Sequence, residues 1–97
     1  MITTKQKLYL RKLGQTLPTK FQIGKEANHP DWIKMVDLAL EKQELIKLHV
    51  LKAAQEDADQ LLATITSNLK AELVQVIGHR AILYRRNPAK PRIILPT

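Results

Sequence analysis

The chain has 97 residues, no cysteine and a formal net charge of +7, so we expect one compact domain without disulfides, thiolate nucleophiles or cysteine-bound zinc. No stretch approaches the roughly 18–20 apolar residues of a membrane span, and the first residues lack the apolar run of a signal peptide. We therefore expect a cytoplasmic protein that folds as a single domain over residues 1–97, with 87–97 as a partly loose tail.

Positive charge is concentrated at the two ends of the chain. Residues 1–25 carry six Lys or Arg and no acid, and residues 79–97 carry five and no acid. The middle, residues 26–78, holds all nine acids against five lysines. Such segregation attracts a polyanion, and nucleic acid is the commonest one. The alternative is a basic protein whose charged ends are simply solvated.

The amino-terminal residues 4–13 are predicted to form a helix that Thr3 or Thr4 caps and Gly14 ends. Spacings of four and seven residues place its cations on neighbouring stripes of one exposed face, where they could bind a nucleic-acid backbone together. These cations are Lys5, Lys7, Arg11 and Lys12.

The central part of the chain alternates between strand and helix. A short strand is predicted over residues 19–23, and a helix should begin at Pro30 and end near Gln43, because proline suits the first helical position. Residues 45–51 alternate apolar and polar side chains, which predicts a strand with Lys47 on its more polar face.

The last third of the chain contains a helix and a hairpin. Asp57, with Gln60 three residues later, resembles a capping box at the start of the helix. Residues 73–77 and 81–85 are predicted strands, and the short connection around Gly78 implies an antiparallel hairpin.

The predicted order of elements is therefore α-β-α-β-α-β-β. Crossovers of the β-α-β type place helices against a mixed four-stranded sheet, so we predict a compact two-layer α/β fold. The first helix and the last hairpin are the two basic ends of the chain, and we hypothesise that the fold brings both onto one surface.

Three strings of residues carry a family resemblance. They are the basic opening helix at 5–13, the helix-to-strand junction at 44–50, and the hairpin residues 74–80 with 83–86. Together, over about residues 3–95, they resemble the YhbY family, the stand-alone bacterial form of the CRM (chloroplast RNA splicing and ribosome maturation) domain. The resemblance implies a fold similar to the C-terminal domain of translation initiation factor three. It also implies RNA binding and association with precursors of the large ribosomal subunit.

The loop after the first strand departs from the family pattern. The family has Gly-Lys-x-Gly there, similar to the GxxG loop of KH domains, whose backbone lies close to nucleotide phosphates. Here the loop reads Gly24-Lys25-Glu26-Ala27, so alanine replaces the second glycine and Glu26 adds a negative charge. Either Gly24, Lys25 and the start of the next helix still bind phosphate, or contact moves to the flanking basic surface. We expect a weakened loop that the flanking surface compensates.

The RNA-binding residues are predicted from charge, spacing and the resemblance. Because Arg85 and Arg86 follow one another along a strand, their side chains should point to opposite faces, and two of the three arginines 80, 85 and 86 are expected to contact RNA. Tyr84 is expected to pack within the sheet. The predicted RNA-binding residues are Lys5, Lys7, Arg11, Lys12, Lys20, Gly24, Lys25, Lys47, Arg80, Arg85 and Arg86.

No catalytic or metal-binding motif is present in the sequence. The three histidines fall on different elements, and neither a G-x-S-x-G motif nor a phosphate-binding glycine-rich motif occurs, so we predict a non-enzyme without metal or cofactor. We expect a monomer that binds structured ribosomal RNA of large-subunit precursors through phosphate and shape contacts. Two alternatives stay open: an adaptor that docks on an acidic protein and, with less support, a DNA-binding protein.

Overall fold

The computed structural model describes residues 2–24 and 29–96. Three α-helices and four strands follow one another in the predicted order, and none of the helices in these ranges is long and apolar enough to cross a membrane. The elements are α1 (Thr4–Gln15), β1 (Phe21–Ile23), α2 (Pro30–Gln43), β2 (Leu45–Val50), a 3₁₀ helix (Lys52–Asp57), α3 (Ala58–Leu69), β3 (Glu72–Ile77) and β4 (Arg80–Tyr84).

The four strands form one mixed sheet in the order β1-β2-β4-β3. β1 and β2 are parallel, as their crossover through α2 requires, whereas β4 runs antiparallel to both of its neighbours. The predicted hairpin between β3 and β4 is confirmed, and its turn uses the left-handed backbone of Gly78, with φ of 57°. The α/β class and the mixed four-stranded sheet are therefore as predicted.

The two faces of the sheet are both covered, so the fold has three layers and the predicted two-layer arrangement is corrected. α2 and α3 pack on one face, against the apolar side chains of β2 that the alternation predicted. α1 packs on the other face, where Leu10 lies in one cluster with Ile82 and Tyr84. The physical reason lies in β4, where all four residues from Ala81 to Tyr84 are buried. A strand that is apolar on both faces needs cover on both, and α1 supplies the second cover.

Gly14 does not end α1, contrary to the prediction. The helix continues through Gln15, and Thr16 is the residue that caps it. A Cβ atom at Gly14 would lie 2.5 Å from Ile82 Cδ1, closer than real Cβ contacts allow. The glycine therefore lets the helix approach the sheet closely. A glycine at position 14 is explained by this packing and does not mark the end of the helix.

The predicted cap of α3 is also wrong, whereas the start of α2 is confirmed. Asp57 precedes α3 but its side chain makes no capping hydrogen bond, because the 3₁₀ helix leads into α3 with a near-helical backbone at that residue. Pro30 occupies the first turn of α2, and α2 ends at Gln43.

Glu44 is completely buried and ties the carboxy-terminal segment to the domain. Its Oε2 accepts a hydrogen bond from the Asn87 backbone N–H at 2.7 Å. Its Oε1 accepts from the backbone N–H groups of Arg92 and, at 2.8 Å, Ile93. Ile93 and Leu95 then pack against the α1 cluster. Hydrogen bonds and packing therefore attach the segment from Asn87 to Pro96 to the domain at several points, and we call this segment the strap.

The Glu44 carboxylate is ionised in this buried position. Burial raises the pKa of Glu44 and is the largest single influence on it. The three backbone N–H donors, with the positive charge of Arg86, together outweigh burial and hold the pKa below its ordinary value of 4.5. The strap is therefore held by charge-assisted hydrogen bonds at neutral pH.

Candidate nucleic-acid interface

α1 covers only part of its face of the sheet, and polar side chains occupy the remainder. The cross-strand registers place Gln22 opposite His49, His49 opposite Arg80, and Arg80 opposite Ile77. This row crosses all four strands, over a width of about 15 Å at the usual strand spacing. Lys47 lies two residues before His49 on β2, on the same face of the sheet and opposite Ile82. We call this region the open end of the α1 face.

Two predicted cations from different strands meet at the open end of the α1 face. Lys47 and Arg80 line one cleft together with Gln15 from the last turn of α1. Lys20 is exposed and directly precedes Phe21, whose partner Leu48 directly follows Lys47 on β2, so the same register continued by one residue sets Lys20 beside Lys47. His49 and Gln22 were not predicted as site residues, because only the register shows that they stand beside Arg80.

The cations of α1 lie on the same side of the sheet as the open end. Lys5 and Lys12 are exposed, whereas Lys7 and Arg11 are half-buried along the flank of the helix. α1 packs on the sheet through its apolar side, so its cations lie on the same side as Arg80, whereas Arg85 lies on the other side. The hypothesis that both basic ends share one surface therefore holds only in part. Tyr9 is 38% exposed on this helix and was not among the predicted RNA-binding residues.

The three arginines at the end of the chain have different surroundings. Arg80 lies at the open end of the α1 face, whereas Arg85 points to the opposite face, as the strand alternation predicted. Arg85 Nη1 donates to the Asp37 carboxylate and to the Leu69 carbonyl at 3.0 Å, and Nη2 donates to the Asp37 carbonyl at 2.9 Å. The guanidinium thereby joins α2 and α3 to the end of β4, which is a structural role.

Arg86 lies far from Arg80, although alternation along a strand would direct both side chains to the same face of the sheet. Six residues of extended chain separate them, or about 20 Å at the rise of an antiparallel strand. Arg86 is exposed beside Gln6 and the strap, at the start of α1. The open end of the α1 face therefore contains Arg80 alone among the three arginines.

The loop prediction falls largely outside the described residues. Lys25, Glu26 and Ala27 belong to the part of the chain that the structure does not describe. Gly24 is half-buried, and a Cβ atom there would lie 3.4 Å from Leu51 Cδ1, an ordinary contact. Its backbone has no left-handed φ, so a side chain at this position would not be strained.

The start of α2 is capped from within the chain. The His29 side chain accepts a hydrogen bond from the Asp31 backbone N–H at 3.2 Å. The exposed Asp31 carboxylate lies 3.8 Å from the same His29 Nδ1 and adds negative charge to the first turn. An incoming phosphate would meet both, which favours the flanking basic surface over the helix terminus.

Three of the four aromatic side chains, Phe21, Trp32 and Tyr84, take part in packing. Trp32 is half-buried and its Nε1 donates to the Gln22 carbonyl at 3.0 Å. Tyr84 is buried, as predicted, and burial, with a smaller contribution from Glu44, raises the pKa of its hydroxyl above 10.0 against the opposing charge of Arg86. Within residues 2–24 and 29–96, no group of His, Asp and Glu side chains could hold a metal ion.

Comparison with known proteins gives consistent results. The model of the CRS1/YhbY (CRM) domain matches residues 2–85. The "Probable RNA-binding protein YqeI" of Bacillus subtilis is 36% identical over 96 residues, which cover 99% of this chain and 100% of that protein. A protein of Haemophilus influenzae named "RNA-binding protein" is 33% identical over 84 residues, covering 87% of this chain and 85% of its own length.

A solved structure has the same fold over nearly the whole chain. It is the solution structure of the hypothetical protein SAV1595 from Staphylococcus aureus, for which RNA binding has been suggested. The two superpose with a TM-score of 0.80 at 43% identity, over 99% of this chain and 100% of the other. The match of the domain model and the full-length similarity show that this chain belongs to the CRS1/YhbY (CRM) domain family.

Proposed function

We propose that this chain binds structured RNA, chiefly through phosphate groups, along α1 and at the open end of the α1 face. One observation carries the proposal: α1 packs on the face of the sheet that bears Lys47 and Arg80, so these two cations and the cations of α1 lie on one side of the sheet. Two relatives that this chain matches over most of their length are named RNA-binding proteins, and this supports RNA as the polyanion.

The charge distribution of the fold would orient the RNA. A group of exposed and half-buried acids lies on the opposite face of the sheet. These acids are on α2, on α3 and at the residue that precedes α3. They are Asp31, Asp37, Glu41, Asp57 and Asp59. The exposed Lys34 and Lys42 partly offset these acids, so an approaching polyanion is attracted more strongly to the α1 side, which favours one docking orientation.

We further propose that the RNA is ribosomal RNA of large-subunit precursors in the cytoplasm. This part rests on the family resemblance. The protein would bind a folded segment of precursor RNA through its backbone, shield it, and leave as assembly proceeds. Phosphate contacts position a protein without reading sequence, so shape would supply the selectivity.

A salt titration tests the proposal. Binding is measured to a structured fragment of large-subunit ribosomal RNA and to a DNA duplex of equal length. If four to six phosphates are neutralised, the slope of log K against log salt should lie between about −3 and −5, with stronger binding to the RNA. A slope near zero would contradict the electrostatic basis, and equal weak binding to both would leave only a generic basic surface. Protein complexes that survive ribonuclease would instead support the adaptor.

Matched variants locate the surface. Changing Lys47 and Arg80 to alanine should make the salt slope shallower by about 1.5, because each lost phosphate contact removes about 0.7–0.9. Changing Lys34 and Lys42 to alanine removes the same charge from exposed positions of α2 on the opposite face and should leave the slope unchanged. Equal effects of the two pairs would overturn the assignment of the surface.

A further inference from the structure

We propose that the cleft beside the end of α1 takes the base of one unpaired nucleotide. The inference rests on the proposed function and goes beyond it, because it gives the α1 face a site for a base as well as for phosphates. The cleft has a volume of about 160 Å³. It is lined by Gln15, Lys47, Gln75, Ile77, Arg80 and Ile82.

Apolar and cationic side chains are arranged in pairs within the cleft. Ile77 of β3 pairs with Arg80 of β4, and Ile82 of β4 pairs with Lys47 of β2. Ile77 is 54% exposed, which a surface that bound phosphates alone would not require. The flat face of a base can lie on the exposed Ile77 side chain while the flanking cations hold its phosphates.

A β-bulge turns Gln75 into the cleft. The register of β3 against β4 shifts between Leu73 and Gln75, so two residues of β3 are accommodated where one residue of β4 lies. Without that shift, strict alternation would place Gln75 on the α2/α3 face together with Leu73. With it, Gln75 stands opposite Ile82, on the α1 face. Bulges that re-aim a side chain are common next to functional sites.

Gln75 also has an unused hydrogen-bond acceptor. Its Oε1 is buried and, among the described residues, has no hydrogen-bond partner. A buried acceptor without a donor is unfavourable, so a ligand N–H toward which the Gln75 amide turns would supply a hydrogen bond that the free protein does not make. Amino groups on base edges are such donors, and they are available when the nucleotide is not paired.

The size of the cleft limits the occupant to a single base. Pockets for drug-sized ligands have volumes of about 300–1,000 Å³, well above that of this cleft. The occupant is therefore a bulged or looped-out nucleotide in an otherwise structured RNA. Such an RNA also agrees with the limited exposure of aromatic side chains in the described residues, because a run of stacked bases would need several platforms.

The test uses three RNA hairpins that differ at one position. One carries a single-nucleotide bulge, one carries an abasic nucleotide at the same bulge, and one is fully paired. We expect binding to the bulge to be about fivefold tighter than to the abasic form, the gain expected for one hydrogen bond with apolar contact. Equal binding of all three, with a steep salt dependence, would overturn the base site and leave the proposed function standing. No binding of any would overturn the proposed function itself.

Two variants connect the preference to the cleft. Gln75→Met removes the acceptor at similar volume, so the preference for the bulge should fall well below fivefold while binding to the paired hairpin and the unfolding temperature are retained. Ile77→Ser should reduce the preference as well. Val76→Ser is the control, because Val76 is exposed on the same strand but faces away from the cleft. A full fivefold preference in Gln75→Met and Ile77→Ser would contradict the assignment.

Discussion

Replacing the buried Glu44 by glutamine tests whether its carboxylate holds the strap. A hydrogen bond to a charged group contributes about 1.5–3 kcal/mol to stability, and Glu44 accepts three from backbone N–H groups. Glutamine keeps one oxygen, which can still accept from Arg92 and Ile93. Its amide group must then meet the Asn87 N–H, donor against donor. Glutamine also avoids the cost of burying a charge, so we expect a net loss of about 2–3 kcal/mol.

The loss is measured by urea denaturation, and hydrogen exchange locates it. The amides of Asn87, Arg92 and Ile93 should lose protection first, since they donate to the altered side chain. Glu41→Gln is the control, because this exposed acid lies one turn earlier on α2. A loss below about 0.5 kcal/mol with unchanged protection would refute the reasoning that the carboxylate holds the strap.

Three further predictions concern stability. Because the fold lowers the pKa of Glu44, the contribution of this carboxylate to the free energy of unfolding is complete above pH 4.5. It should be lost as the pH falls through the pKa of Glu44 in the folded protein, and acid titration of the Glu44→Gln variant should lack that part of the transition. Gly14→Ala should destabilise by about 1–3 kcal/mol in thermal unfolding, because its Cβ must displace Ile82; unchanged stability would show that the helix can shift freely. Arg85→Met should cost about 1–2 kcal/mol, after allowance for the half-exposed Asp37, yet leave RNA affinity within twofold; a larger loss of affinity would place Arg85 in the interface.

Local patterns in the sequence predicted the elements well. The alternation around Lys47, the proline at the start of α2 and the glycine in the hairpin turn each act through neighbouring residues, so their outcome is visible in the sequence. The side of the sheet that α1 covers is different. The handedness rule restricts crossovers between parallel strands and leaves a leading helix free to pack on either face.

Most of what the sequence did not predict depends on contacts between distant residues. The strap depends on Glu44 meeting N–H groups more than 40 positions away, and an isolated acid gives no signal of that. The structural role of Arg85 could not be predicted, because its partner Asp37 lies 48 positions away in the sequence. The bulge before Gln75 changes the face of the sheet to which this side chain points. The alternation of side chains along β3 therefore could not predict which residues line the cleft.

The strap bears on where this domain can be cut. The family model ends at residue 85, yet the strap lies beyond it and returns to the start of α1, where Gln6 Nε2 donates to the Pro96 carbonyl at 3.0 Å. A chain shortened to residues 2–85 would keep Glu44 but lose its three donors, and would uncover the cluster against which Ile93 and Leu95 pack. The smallest unit suitable for expression, fusion or grafting therefore extends to residue 96, eleven residues past the boundary that sequence similarity suggests.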